Sequence, residues 1–379
     1  MTRLTADWLH NPGAQEVMRL LRDAGHQALF VGGCVRNALL NAPATDLDIA
    51  SDALPKTVLS LADHAGLKAI PTGLKHGTVT IIAHDVPLEV TTFRQDIATD
   101  GRHATVAFTG DIIEDARRRD FTMNALYADF EGTVIDPLGG LADLKAGRLR
   151  FIDEAEQRIR EDYLRILRFF RFHAWYADPA AGLDPEGLAA CAALSEGLNG
   201  ISKERIGAEM LKLLGAPDPG PSLGAMQQSG VLQKVLPGGD PKAVFVLIAS
   251  HAIDPILRLA ALGGEDPAEH LRLSNADAQR VRLLRDAAAS TQSPAGLGYA
   301  LGAMDAAAAL HLRAAFFEQP VDPIDLAKAK GGAGQTFPIR AADLMPAYQG
   351  AALGERLRKL ENAWIASDFT LTKSRLMRL

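Results

Sequence analysis

The sequence predicts an α+β protein in which an N-terminal region of alternating helices and strands, built on a mixed sheet, gives way to an all-helical C-terminal two thirds. Three observations carry this. Over the first 140 residues, helical apolar spacing alternates with short apolar runs stopped by glycine. Two β-branched runs joined by HDVP have the pattern of a hairpin. Beyond Leu141 the apolar stretches are Ala/Leu-rich and separated by Gly, Pro or Asn, with no convincing strand.

In order, apolar positions at helical spacing predict a helix over 12–24, ended by Gly25, and QALFVGG has the look of a buried strand. A helix over 34–40, a strand over 45–50 (TDLDIA), a helix over 55–65 and the hairpin KHGTVTIIAHDVPLEVTTFR follow. Residues 111–128 return to helix and 132–136 to strand. Helices are then expected over 153–177, 183–198, 202–215, 222–230, 242–263, 275–289, 294–315, 323–331, 339–347 and 350–366, without a solenoid period.

A chain of 379 residues with 47% hydrophobic and 23% charged residues has an ordinary globular composition and is too long for one core. No apolar run approaches the ~18–20 residues that span a bilayer, and the N-terminus has no secretory pattern, so a cytoplasmic, membrane-free protein is expected. Cys34 and Cys191 lie far apart, which disfavours a disulfide framework or a thiolate zinc site. Any metal would be held by oxygen. The balance of 40 Lys+Arg against 46 Asp+Glu gives −6, without the overall basic footprint of a nucleic-acid binder. Arginine is nevertheless dense between Arg117 and Arg171, which leaves room for a basic working face.

Asp46 and Asp48 stand two apart in a predicted strand, so both carboxylates are expected on one face. Taken alone, such a pair reads as a solvated strand end. Repelling charges beside an apolar strand make more sense with a divalent cation between them, Mg²⁺ or alternatively Mn²⁺. Gly32 and Gly33 follow a strand and precede a helix bearing Arg36, a setting in which backbone N–H groups meet phosphate. Gly32 through Asp48 is 17 residues, so anion site and metal site adjoin, as a nucleoside triphosphate carried with its metal requires. Glu89, on the strand face opposite Val90 and Thr92, offers a third carboxylate for a two-metal site.

The run ARRRDFTMNA reads by itself as a solvated charged turn. In REDYLRILRFFRF, Asp162, Arg165, Arg168 and Arg171 are spaced by three and form, with Glu161, one polar helix stripe opposite Leu164, Ile166, Leu167 and Phe170. That stripe suits either an intrahelical salt-bridge ladder or planar recognition of a base edge or of triphosphate oxygens.

Taken together, LFVGGCVRNALL, TDLDIAS, GLKHGTVTI, LEVTTFR, ARRRDFTMNALYAD, DPLGGLADLKAGRLRFI, REDYLRILRFFRF and ISKERIGAEMLKLL resemble, in that order, the class II tRNA nucleotidyltransferases, the CCA-adding enzymes, and their poly(A) polymerase relatives. The resemblance is dense over 27–215. It implies a polymerase-β-like nucleotidyltransferase head over 1–143, a helical neck over 144–230 that reads the base, and a helical body and tail over 231–379 that hold the tRNA acceptor arm. Carried over by position, it implies Asp46 and Asp48 as metal-binding catalytic acids, Glu89 as the third carboxylate, Gly33, Arg36 and Arg119 on the triphosphate or ribose, Asp162 and Arg165 on the base of CTP or ATP, and Arg168 and Arg171 along the same pocket. Asn37 departs from the family, which commonly has Asp there.

The activity implied is template-independent addition of C, C and A to a tRNA 3′ end from CTP and ATP, with Mg²⁺ and release of diphosphate and with no obligate protein partner. The polar stretch 96–105 is the candidate for a loop that governs the switch from C to A. A poly(A) polymerase, a CC-only or A-only enzyme, and a degenerate RNA-binding module are the rivals. The missing basic tail and the intact carboxylates argue against the first and last of these. His251, His270 and His311 form no His-Asp hydrolase signature, so no phosphatase activity is expected.

Overall fold

The computed structural model describes residues 2–44, 46–100 and 103–379. The chain forms two compact units, one of residues 1–206 with 228–234 and the other of 207–227 with 235–379.

The first unit opens with α1 (Pro12–Asp23), whose N-terminus is capped by the Asn11 side chain accepting from the Ala14 N–H and which buries Val17, Met18 and Leu21. Then come β1 (Ala28–Val31), α2 (Gly33–Leu39), β2 (Asp48–Ser51), α3 (Pro55–His64), β3 (Lys68–Gly73), β4 (Thr78–Ala83) and β5 (Val86–Thr92). The ribbon β6 (Arg94–Asp100) and β7 (His103–Phe108) precedes α4 (Ile112–Arg117), β8 (Tyr127–Ala128) and β9 (Val134–Ile135). Among the described residues the main sheet has the order β3-β4-β5-β2-β1-β8-β9. It is mixed: β2 and β5 run parallel and the other neighbours antiparallel. The turn of the β4–β5 hairpin falls at His84 and Asp85, both with positive φ, the backbone that a two-residue turn matched to strand twist requires. Leu29, Val31, Ala50, Phe93, Ala116, Ala125 and Tyr127 form a buried cluster, so the strands that carry the acids rest on a dry core.

Helices α5 (Gly140–Lys145), α6 (Ala155–Glu161), α7 (Leu164–Tyr176), α8 (Pro185–Ala193) and α9 (Lys203–Leu214) follow. The short α11 (Val231–Val235) falls almost wholly in the first unit, whereas the second unit is helical, its longer elements including α10 (Gly220–Gln228), α12 (Lys242–Ala249), α13 (Pro255–Leu262), α15 (Asn275–Ala289), α16 (Pro294–Phe316) and α19 (Gly350–Ala366), with α14 (Pro267–His270), α17 (Pro323–Ala333) and α18 (Ala341–Leu344) between them. The Arg258 side chain is fully buried there, donating to the carbonyls of Leu214, Ala216 and Pro217. No described helix is long and apolar enough to cross a membrane.

Several expectations need correction. The helix predicted over 111–128 stops at Arg117, because Asp115 and Arg119 turn inward and the chain leaves helix to form β8. The strand predicted over 45–50 begins only at Asp48, so Asp46 precedes it and the two-residue periodicity does not fix its face; residue 45 lies outside the described residues. Helix 153–177 is broken at Asp162, whose backbone is extended (φ −154°, ψ 105°). The stretch predicted over 242–263 is likewise two helices, α12 and α13. Strand β3 was not expected. The stretch 96–105 lies within the β6–β7 ribbon, apart from residues 101 and 102, which are outside the described residues.

Candidate active site

The site grows from the turn after β1. Gly32 has φ 72° and ψ −119°, a backbone only glycine adopts readily, and a Cβ there would stand 3.4 Å from Arg119 Nη1. This turn starts α2, which carries Arg36 inward to 6% exposure. Its guanidinium donates from Nη1 to Asn124 Oδ1 (2.5 Å), from Nη2 to Asn37 Oδ1 (2.9 Å) and from Nη2 to the Tyr176 hydroxyl (3.0 Å), and it lies 3.9 Å from the Tyr176 ring centroid. Burial lowers its pKa, while Tyr176 and Asp120 oppose that shift. The unusual Asn37 therefore acts as a neutral acceptor that orients Arg36.

Asp48 opens β2, and in the parallel β2–β5 ladder its register partner is Glu89. Burial raises the Asp48 pKa, the Glu89 charge raises it further, Arg119 opposes, and Asp46 adds to the rise. The three predicted carboxylates thus share one electrostatic neighbourhood. Among the described residues no three His, Cys, Asp or Glu side chains converge tightly enough to hold an ion unaided. The donor set nevertheless fits a hard divalent cation, because Mg²⁺ is commonly bound by one or two carboxylates together with substrate phosphates rather than by an all-protein cage.

Arg119 is half-buried near these acids, donating from Nη2 to Asp115 Oδ2 (3.0 Å) and from Nε to the Tyr127 hydroxyl (3.2 Å). Burial works against its charge, but Tyr127 and Asp115 outweigh it and the pKa shifts upward. Asp115 also accepts from Arg118 Nε (2.8 Å) and from the Tyr127 hydroxyl (2.7 Å), and despite desolvation Arg119 and Arg118 bring its pKa down to about 2. Asp120 accepts from Arg168 Nε (2.7 Å) and Asn124 Nδ2 (2.9 Å), which links the Arg36 partner Asn124 to α7. The run expected as a solvated turn is only partly solvated: Arg117 stays exposed, whereas Arg118 and Arg119 pair with the buried Asp115 and Asp120 is itself buried.

Asp162 caps α7 through Oδ1, which accepts from the Leu164 N–H (3.1 Å), while Oδ2 accepts from Arg205 Nη2 (2.6 Å). Arg165 donates to Glu161 Oε2 (2.5 Å) and to the carbonyl of Arg158 (2.7 Å). Gly33, Arg36, Asp48, Arg119, Asp162, Arg165 and Arg168 line one cavity of about 480 Å³, all within the first unit. Arg171 is not on its wall; it lies against the Phe172 ring, 4.2 Å from the centroid. Asp46 and Glu89 adjoin through Asp48. The sequence reading missed Arg118, Asp120, Asn124, Phe172 and Arg205 on the wall and Tyr176 behind it. Asp120 and Asn124 carried a signal, the i, i+4 spacing of two polar residues in an otherwise apolar run, but their partners Arg168 and Arg36 are remote in sequence.

Asp48 and Glu89 thus pair across the interior strands β2 and β5, beside an arginine-lined cavity. Residues 28–150 match the family described as the poly A polymerase head domain, and 182–242 match the probable RNA- and SrmB-binding site of polymerase A. The human mitochondrial CCA tRNA nucleotidyltransferase 1 is 43% identical over 207 residues, 54% of this chain and 48% of that protein. The CCA-adding enzyme of Geobacillus stearothermophilus is 40% identical over 224 residues, 59% of this chain and 54% of that one. The alignments thus span about half the length of these curated relatives. The crystal structure of the Bacillus stearothermophilus CCA-adding enzyme in complex with CTP superposes with a TM-score of 0.78 at 29% identity, covering 99% of this chain and 98% of that one. The chain is thus similar to CCA-adding enzymes and carries regions of the poly A polymerase type over 28–150 and 182–242.

Proposed function

We propose that the protein is a template-independent CCA-adding tRNA nucleotidyltransferase that extends a tRNA 3′ end with C, C and A from CTP and ATP, releasing diphosphate at each addition. The observation that carries this is the juxtaposition of Asp48, with Glu89 as its register partner, and a cavity whose wall holds Arg36, Arg119, Arg165 and Arg168 beside Asp162. The names of the relatives and the CTP complex of the superposed enzyme support it.

Asp46 and Asp48, aided by Glu89, would hold Mg²⁺, with Mn²⁺ as a substitute. When bound, the ion supplies a lowered pKa for the attacking 3′-hydroxyl and charge neutralisation at the α-phosphorus. The chain's own residues do the rest. Arg36, fixed by Asn37, Asn124 and Tyr176, presents a cation with mostly neutral hydrogen-bond partners to the triphosphate. Arg119 is held cationic by Asp115 and Tyr127 at the next step along the wall. Asp162 accepts from the exocyclic amino group that cytosine and adenine share, Arg165 donates to the neighbouring ring nitrogen, and Arg168 adds positive charge on the wall, with Arg171 off the wall against Phe172. In this assignment 1–143 bind metal and triphosphate, 144–230 read the base and 231–379 hold the tRNA.

The test is incubation of the protein and Mg²⁺ with tRNA transcripts ending before CCA, after C and after CC, and with an unrelated RNA, using labelled CTP or ATP. Two C additions and one A on tRNA only, lost in Asp46→Ala, are expected. Long A tails on any RNA would make it a poly(A) polymerase, and a halt after CC would make it a partial enzyme.

A further inference from the structure

We propose that Arg205 is a positioning residue for base selection: its guanidinium fixes the Asp162 carboxylate in the orientation that accepts from the amino group of cytosine or adenine. This rests on the base-reading role proposed above for Asp162.

The helix break is the reason such a residue is needed. Asp162 follows the last residue of α6 and precedes Tyr163 and α7; its backbone is extended, and although its carbonyl accepts from the Arg165 N–H (2.9 Å), the backbone does not fix its side chain. A carboxylate on a short side chain at such a junction rotates freely unless both oxygens are engaged. Here they are engaged asymmetrically. Oδ1 accepts from the Leu164 N–H at 3.1 Å, which sets the carboxylate against the start of α7. Oδ2 accepts from Arg205 Nη2 at 2.6 Å, a charge-assisted bond from α9, 43 residues away. Both side chains are only partly exposed, 22% for Asp162 and 25% for Arg205, and both line the cavity.

The opposing base-reader, Arg165, is fixed independently by Glu161 and by the carbonyls of Arg158 and Arg118. Its geometry therefore does not depend on Arg205. Each carboxylate oxygen has lone pairs beyond the one bond described, so the Arg205 bond aims Asp162 without consuming its acceptor capacity.

The chemical consequence is selectivity. An ionised carboxylate is an acceptor only; cytosine and adenine present an amino donor on their pairing edge, whereas uracil and guanine present a carbonyl acceptor there. Discrimination of C and A from U and G thus depends on the direction in which Asp162 points. Arg205 lies in the stretch 182–242 that matches an RNA-binding model, so the bond also ties the base-reading acid to that segment.

The experiment is equilibrium binding of CTP, ATP, UTP and GTP to the full chain without RNA, with tRNA binding and thermal melting measured alongside. The wild type is compared with Arg205→Gln, Arg205→Lys, Asp162→Ala and the Asp162→Ala/Arg205→Gln double variant. Arg205→Gln is expected to reduce the preference for CTP over UTP about tenfold, the scale of one hydrogen bond to a charged group. Arg205→Lys should retain part of the preference, and the double variant should discriminate no worse than Asp162→Ala. If Arg205→Gln does not fold, the Lys variant carries the comparison. Unchanged preference in folded Arg205 variants, fully additive losses in the double variant, or weakened tRNA binding with intact nucleotide preference would overturn the inference alone. A wild type that does not prefer CTP and ATP would overturn the base-reading role as well.

Discussion

At Asp48 the fold opposes the charge that the chemistry requires. Burial and the charges of Glu89 and Asp46 raise its pKa, with Arg119 only partly compensating. A carboxyl group whose folded pKa is raised destabilises the fold while ionised, and the penalty fades as pH falls through its titration. Asp48→Asn is therefore expected to lower CTP and ATP incorporation at least about a thousandfold, since it removes a proposed metal ligand, and yet to raise the melting temperature at neutral pH. Mg²⁺ should raise the melting temperature of the wild type and leave the variant unmoved. A variant that melts lower than the wild type would show that the carboxylates are not in conflict. At Arg36 burial likewise opposes the charge and lowers the pKa, Tyr176 partly offsets it, and Asn37, Asn124 and Tyr176 accept from the guanidinium. Tyr176→Phe removes one acceptor and keeps the ring contact, so the KM for CTP should rise about threefold, whereas Tyr176→Leu removes both and should raise it about tenfold or more. Steady-state kinetics with kcat little changed in either variant would agree with a role in holding the nucleotide.

Between α6 and α7 the break is held open by packing. The Tyr163 ring lies where a side chain at residue 197 would go: a Cβ on Gly197 would stand 1.9 Å from Tyr163 Cδ1. Gly197→Ala must push the ring aside and with it the neighbouring Asp162, so a loss of about 1–3 kcal/mol in stability and about tenfold in kcat/KM for both nucleotides is expected. Urea denaturation and single-addition assays check this, and a variant with wild-type kcat/KM would mean that Tyr163 does not set Asp162. This junction also marks the limit of what was legible in the sequence. The hydrophobic period runs unbroken through YLRILRFF, so it predicts one helix, and only the tertiary contact of Tyr163 with Gly197 and the Asp162 cap divide it. The hairpin and the glycine turn before Arg36 were legible because their signals are local: two β-branched runs and a Gly-Gly pair. The partners that complete the site were not. Arg36 with Asn124, Asp120 with Arg168 and Asp162 with Arg205 are 88, 48 and 43 residues apart, and no local periodicity encodes such pairings.

Over the whole molecule a net charge of −6 conceals a concentration of arginine on one cavity, where Arg36, Arg118, Arg119, Arg165, Arg168 and Arg205 face Asp48, Asp120 and Asp162. That arrangement makes folding depend on buried acids that keep the arginines in place. Asp115 has its pKa brought down to about 2, desolvation being outweighed by Arg119, Arg118 and Tyr127. Asp120 is lowered too, since Arg168 and Asn124 overcome its burial. For an acid with a depressed folded pKa, the stabilisation is complete above the ordinary carboxylate range and is lost as protons bind the unfolded chain first. The contribution of Asp115 and Asp120 to wild-type stability should therefore be constant from neutral pH down to about pH 5 and be lost steeply between about pH 4 and pH 2. Asp115→Asn should be less stable at pH 7 by about 1–3 kcal/mol, because it leaves two half-buried arginines without their carboxylate, and its stability should fall less steeply across the acid range. Urea midpoints at pH 7, 4 and 3 for both proteins decide the matter. Parallel acid profiles would mean that Asp115 titrates like an ordinary surface carboxylate, and the arginine turn would then contribute nothing to the pH dependence of the fold.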